Sequence, residues 1–547
     1  MPQGRSRIDQ ATVSPRSRAV ASKAFDVGML TGPATWGPMN QATICIDYPD
    51  YYEKFGGFLA AYHTTLAAKL FFESGGKRLV MTRICHIADH SVSATPLSAV
   101  KALYTFPCAA AGTYLGADSL TATAKYYGTL GNSIVIKIQN ASNEVASSFD
   151  LLVYVGTELK EWFRNLSMLD SATRYVETVI NDSDEASKYI VVTDLALGGV
   201  AGLALDERPE NNTGATLVLG DDGLTSLVSA DYIGAVSYHT GLHAFSLEEQ
   251  GDLMFTPDDT TTAYVNAAVA YCADQKKGKV FFLCETPVST AKAAAVIQVA
   301  ALTASEYRSA MYWPRVRIAN PSKSIFGQAP RLVVAPSPLI AGRMVRNSNK
   351  EEGMYFTQPG NEIYGLLDYA VALESDKHEV LEPTVRDYVT DFGVNPIMEG
   401  IRPSDGNFGV WCDDVLLGST TGNFISVGEQ RGIAYLRTIF EAYLERHRTQ
   451  NMTPMMRRTI KEAFEAELAK WLSKHVFASD TASEAFYVHT DPEGTSLNNP
   501  AVQDAQQLRI LIGVATARPA RFIELAFTRD NRAVESWIQQ QLSATSA

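Results

Sequence analysis

The rhythm of apolar and polar positions changes along the chain, and each change predicts a different kind of element. From Ala24 the pattern gives a strand, glycine turns in "TGPATWGPMNQ", a second strand in "ATICI" and then a helix. Leu59, Tyr62, Leu66, Leu70 and Phe71 recur at helical spacing. "KRLVMTRI" follows as a strand, with Leu79, Met81 and Arg83 alternating against Val80, Thr82 and Ile84. This α/β fragment is too small to complete its own sheet and is expected to take partner strands from elsewhere.

Residues 91–178 turn to β-type runs, "SLTATAKYYGTLGNSIVIKIQ" and "FDLLVYVG", broken by Gly and Asn turns. Residues 179–346 alternate helix and strand: "YVNAAVAYCAD", "GKVFFLCETP", the helical "AKAAAVIQVAALTASEYRSA", then the strand-like "RVRIA" and "RLVVAPSP". Strands bounded by such helices imply crossovers and a largely parallel sheet. Past Asn347 come two amphipathic helices. Ile433, Leu436, Phe440, Tyr443 and Leu444 mark the first, and Ile460, Phe464, Leu468 and Trp471 the second. The last patterned stretch is β-type: "EAFYVHT", "QQLRILIGVA" and "ARFIELAFTRD", with Leu508, Ile510, Ile512 and Val514 alternating against Arg509.

Length and composition then narrow the class. A chain of 547 residues exceeds one ordinary core, and 46% hydrophobic with 20% charged residues is the balance of a folded protein. A net charge of −13 weighs against direct nucleic-acid binding, which needs clustered lysine and arginine. The six cysteines are scattered without a CxxC, which favours reduced thiols and assembly in a cytoplasm. No run approaches the ~20 apolar residues of a membrane span, so no membrane insertion is expected. Residues 1–23 carry Arg5, Arg7, Arg16, Arg18 and Lys23 against Asp9 and have no core of their own; they read as a tail, or as an arm that orders on a partner.

Candidate chemistry changes the picture little. "FFESGGKRLV" looks like a phosphate loop, but Phe71 stands where a P-loop needs glycine, Arg78 follows Lys77, and the helix precedes the glycines. Gly75 is better placed to close a helix in a left-handed conformation. "GTLGNS" lies between β runs and reads as a turn. Cys85, His86, Asp89 and His90 form the nearest approach to a metal cluster, but nothing downstream has complementary spacing. His239 and His243 lack the HExxH glutamate. No strained serine turn suggests a hydrolase triad. Asp221-Asp222 and Asp413-Asp414 read as solvated surface, and in "MYWPRVRIANPSKSIFG" Tyr312 and Trp313 are expected to pack while Arg315 and Arg317 face out. No catalytic, cofactor or metal residue is therefore assigned.

The segments in order resemble the tail sheath proteins of contractile-tailed bacteriophages. The resemblance rests on "VGMLTGPATWGPMNQATICI", "YYEKFGG", "LAAKLFFESGGKRLVMTRI", "AKYYGTLGNSIVIKI", "APSPLIAGRM", "DFGVNPIME", "GVWCDDVLLG" and "EQRGIAYLRTIFEAYLE", and on the terminal "FYVHTDPEGTSLNNPAVQDAQQLRILIGVATARPARFIELAFTRD". It covers about residues 25–530. The arginine-rich opening and Cys412-Asp413-Asp414 depart from the family's usual pattern.

The resemblance implies a multidomain α/β and β protomer. Its core α/β domain would come from both chain ends (24–90 and 347–527), with an inserted β-sandwich-like domain (91–178) and a non-catalytic subtilisin-like α/β domain (179–346). Residues 1–23 and 528–547 would be arms, with Arg16, Arg18, Val20, Phe527, Trp537 and Ile538 as inter-subunit candidates. Strands at Leu508, Ile510, Ile512, Val514, Phe522, Ile523 and Leu525 would receive neighbours' arms. Lys461, Glu462, Glu465 and Lys470 would face a tail tube. The partners implied are copies of itself in stacked hexameric rings, a tail tube protein, and baseplate and terminator or neck proteins, all in a virion tail assembled in the host cytoplasm. A phage-derived bacteriocin or an extracellular injection device would use the same mechanics, and an α/β hydrolase-like enzyme is the rival from another class.

Overall fold

Val27–Gly32 and Phe281–Glu285 are buried along their whole length, and Arg78–Arg83 everywhere but its first residue. Strands covered on both faces belong in a parallel sheet sandwiched by helices, because each crossover helix packs back onto a face. The computed structural model describes residues 27–109, 117–195, 207–247, 251–274, 276, 278–303, 308–350, 367–374, 383–399, 408–416 and 426–517. These fall into two compact units, divided after Gln450.

The larger unit is built on an eight-stranded sheet. Its order is Phe408–Val410, Val394–Glu399, Ser309–Trp313, Phe281–Glu285, Leu253–Phe255, Val27–Gly32, Arg78–Arg83 and Thr43–Cys45. The inner pairs are parallel; Thr43–Cys45 and Phe408–Val410 close the two edges antiparallel. The chain starts mid-sheet at Val27–Gly32, adds Arg78–Arg83 on one side, then runs outward on the other from Leu253–Phe255. The carboxyl ends of those first two neighbours form the switch point of a doubly wound sheet.

The "FFESGG" turn is a closure that fits a neighbouring helix. Helix Thr64–Glu73 ends with Gly75 N–H bonded to Phe72 O at 3.1 Å and Gly76 N–H to Phe71 O at 2.9 Å. Gly75 has φ +118°, and a side chain there would strike Arg346 of helix Ser337–Lys350. Gly342 of that helix lies directly on Phe71 O and Ser74. The glycines therefore let two helices touch.

A second core lies among β strands. Leu103–Pro107, Asp118–Ala124 and Ile190–Asp194 form one antiparallel sheet. Ala215–Thr216, Ile134–Asn140, Ser148–Val155 and Glu158–Ser167 form another. Leu120, Ala122, Ile136, Phe149 and Leu151 share one cluster between them, and Trp36 joins it from the α/β part. In the smaller unit, helix Pro454–Leu472 buries Ile460, Phe464, Leu468 and Trp471, and Phe486–His489 pairs antiparallel with Leu511–Val514.

Several expectations are corrected. The sheet partners of residues 27–83 come from 253–313 and 394–410; Phe486–His489 and Leu511–Val514 form a separate two-stranded sheet. Strands at 190–194 and 215–216 carry the β sheets past residue 178. The helix expected through "ASEYRSA" ends at Ala300, and Ser309–Trp313 is a fully buried central strand. The helix expected from near Leu59 starts at Thr64. Both faces of Arg78–Arg83 are covered, so Leu79 to Arg83 are all buried. Asp413 and Asp414 are buried, with Asn395 bridging Asp414 through both its amide N–H and its carbonyl. Arg315 is buried too, its Nε donating to Thr286 O at 2.9 Å.

Candidate functional site

In an open α/β sheet a ligand would sit at the carboxyl ends of the strands beside the switch point, where helix N-termini present free N–H groups. Here that place is filled by the protein. Asp258, just past Leu253–Phe255, accepts from His63 N–H at 2.7 Å and from the Thr64 hydroxyl at 2.5 Å, capping helix Thr64–Glu73. Gly32, ending Val27–Gly32, lies so close to Thr64 that a Cβ would overlap its side chain. Burial pushes the Asp258 carboxyl above its ordinary range against the pull of these hydrogen bonds, and lowers the His63 imidazole. An anion arriving here would meet a carboxylate already in its place.

Glu285, the last residue of Phe281–Glu285, is fully buried, and neither of its carboxylate oxygens has a hydrogen bond of ordinary geometry. It lies against Ser337, the first residue of helix Ser337–Lys350. Burial raises its pKa to about 7, with Arg315 and Ser337 pulling the other way. The polar groups acting on this buried acid are the Ser337 hydroxyl and backbone and the Arg315 guanidinium. Burial also pushes the Cys45, Cys85 and Cys272 thiols up to about 12, which leaves them unreactive at neutral pH. The sequence pattern points to neither Asp258 nor Glu285, and it places Arg315 facing out, where the structure buries it. An acidic residue terminating an apolar run, as in "FFLCE", was the available cue.

The Cys85–His90 cluster proves to be a structural clamp. Asp231 takes His86 Nδ1 at 3.1 Å and His90 Nε2 at 2.9 Å, together with the N–H groups of Ile87 at 3.0 Å and Val228 at 2.9 Å. Burial alone would raise the Asp231 pKa, but these hydrogen bonds outweigh it and hold the carboxyl below its ordinary range. Among the described residues, no group of three or more His, Cys, Asp or Glu is arranged to hold a metal ion, and no helix is long and apolar enough to cross a membrane.

The assembly candidates are placed in part. Lys461, Glu462, Glu465 and Lys470 lie on the solvent side of helix Pro454–Leu472, opposite the buried stripe. Lys461 reaches Glu465 at 3.7 Å, both partly exposed, and Lys470, itself exposed, reaches the buried Glu467 at 3.1 Å. Leu508, Ile510, Ile512 and Val514 are half-buried, and Leu511 is 49% exposed. Arg16, Arg18, Val20, Phe522, Ile523, Leu525, Phe527, Trp537 and Ile538 lie outside the described residues.

With that geometry in view, comparison gives the fold its class. No protein-family model matches the chain, and no curated protein does. Solved structures match over nearly its whole length. The sheath tail protein from Listeria innocua superposes with a TM-score of 0.59 at 15% identity, covering 87% of this chain and 91% of the other. The sheath tail protein from Desulfitobacterium hafniense gives 0.54 at 15% identity, covering 86% and 91%. A chain of the anti-feeding prophage helical sheath in its contracted state gives 0.52 at 14% identity, covering 94% and 95%. The fold is that of contractile sheath proteins.

Proposed function

We propose that this chain is the sheath subunit of a contractile tail, polymerising as stacked hexameric rings around a tube and shortening to drive the tube through a target envelope. The observation that carries this reading is the shared fold with sheath chains, which spans 94% of the sequence in the contracted-sheath case. The blocked switch point and the unreactive thiols support a mechanical role over an enzymatic one. The energy for contraction would be stored in assembly, with an extended sheath held metastable and relaxing into more favourable contacts, so no nucleotide is needed.

In finer terms, the two β sheets about one core support the β-sandwich-like insertion, and the parallel sheet supports a non-catalytic α/β domain of subtilisin-like kind that draws strands from 27–83 and 394–410. Arms at 1–23 and 528–547 would add strands to neighbours, keeping subunits joined while they slide. Lys461, Glu462, Glu465 and Lys470 would make polar, breakable contacts to the tube protein. Baseplate and terminator or neck proteins would cap the stack, in a tail assembled in the host cytoplasm. A match to the sheath of an extracellular contractile injection system supports an extracellular injection device as the second reading. Sedimentation of the purified chain tests the proposal: large assemblies are expected from the full chain and are lost when residues 1–23 or 528–547 are removed. A full chain that stays monomeric at every concentration counts against it.

A further inference from the structure

The β region and the α/β sheet of the larger unit meet at a seam whose ties are local. Trp36, on the loop after Val27–Gly32, leaves its own sheet and enters the β core, where it is 2% exposed. Its ring meets Tyr126 edge-on, with centroids 5.2 Å apart. Beside it Arg83, ending the Arg78–Arg83 strand, is fully buried. Its Nη1 donates to Gly37 O at 3.0 Å on one side of the seam and to Tyr127 O at 2.7 Å on the other. At the rim, Lys188 of the β region reaches Glu53 of helix Tyr48–Phe55 at 3.1 Å, both exposed. Between these ties the surfaces are not flush. A cleft of about 410 Å³ lies there, lined by Trp36, Asp50, Lys54, Lys125, Tyr126 and Tyr189 among others.

We infer that this seam is a pivot: the β region rocks on Trp36 and Arg83, and the cleft beside them narrows and widens with the motion. Two observations point the same way. The cleft opens to solvent at the rim and leaves the β region room to approach the α/β sheet before their surfaces meet. The Arg83 guanidinium also keeps Nε and Nη2 without hydrogen-bond partners, although a buried cation ordinarily has all its donors satisfied. Asp222, on the chain returning from the β region and accepting from the Thr129 hydroxyl at 3.3 Å, is among the groups whose charge favours the charged guanidinium against burial. The main chain crosses the seam near residues 84–100 and 217–228, two connections that can serve as hinges. Use of the pivot in contraction rests on the sheath reading; the pivot itself does not.

Hydrogen exchange on the full chain tests it. Carbodiimide coupling of Glu53 to Lys188 locks the rim without touching the core. Exchange at residues 125–128 and 187–189 should then slow several-fold, while equal rates with and without the cross-link would overturn the pivot. In W36A the same amides should exchange roughly tenfold faster while Val27–Gly32 and Arg78–Arg83 keep their protection. Acceleration spread evenly over the larger unit would instead show one rigid body and overturn the proposal. Neither readout needs assembly, so a chain that pivots but never polymerises sinks the sheath reading and leaves the pivot standing.

Discussion

Phe281–Glu285 and Leu511–Val514 are both apolar strands, and the first is buried at every position while the second is buried at none. The first has strands on both sides and helices over the sheet. The second pairs with Phe486–His489 and, among the described residues, with no other strand. An apolar strand left half open at a sheet edge is a template for another chain. The difference separates a region that folds for itself from one suited to a partner, and substitutions should divide along the same line.

The largest loss is expected in the sheet's packing. Phe71 is fully buried, tilted against Phe255 with centroids 5.4 Å apart. F71A should cost about 3–5 kcal/mol, read as loss of exchange protection in Arg78–Arg83 under mild denaturant. A cost below about 1 kcal/mol would mean the helix is not part of this core.

The clamp comes next. The Asp231 carboxyl is held below its ordinary range, so its contribution is present at neutral pH and lost as pH falls through that lowered value. D231N should weaken the larger unit by about 1–3 kcal/mol at neutral pH, with the gap closing in acid. A deficit that stays constant across a thermal-melting pH series would refute the electrostatic account.

Glu285 should show the opposite sign. Its pKa rises from 4.5 to about 7 on folding, so the native state binds the proton more tightly. That contribution is full below the ordinary glutamate range and is lost as pH climbs through about 7. E285Q should therefore melt above the parent at pH 8, by an amount equivalent to about 1–3 kcal/mol, and close to it at pH 5. Equal melting at both pH values would show that the carboxyl is not buried as described.

Substitutions in the smaller unit sharpen the contrast. I512D should change the isolated chain's stability by about 1 kcal/mol or less, yet abolish large assemblies in sedimentation. Reversing the charge of Lys461 and Glu465 together should move stability by less than about 0.5 kcal/mol, because the pair is open to water, while reducing tube attachment in a co-assembly assay. Unchanged attachment would remove that face from the tube contact.

The sequence revealed more of the fold than of the contacts. "VFFLC" is legible as a strand because full burial writes it as an unbroken apolar run, "RLVMTR" because a short apolar core follows a glycine turn, and Ile460, Phe464, Leu468 and Trp471 mark their helix face correctly. Leu253–Phe255 was missed because a three-residue strand inside "GDLMFTPDD" carries no period. Of Ser309–Trp313 only Ser309 and Ala310 fall in the helical-propensity stretch "ASEYRSA", which central pairing with Phe281–Glu285 overrides, while Tyr312 and Trp313 pack as their strand reading expects. Arg83 on Tyr127 O and Asp231 on His86 and His90 join residues far apart in sequence, and no local pattern encodes such partners. Cys85 to His90 was noticed as a cluster, but the carboxylate that explains it lies about 140 residues downstream.

The central claim is tested most directly by electron microscopy of the purified full-length chain after concentration or on its tube. The account predicts hollow tubes or stacked six-fold rings whose subunit density fits this fold. Monodisperse single subunits under every assembly condition, with or without a tube, would contradict it.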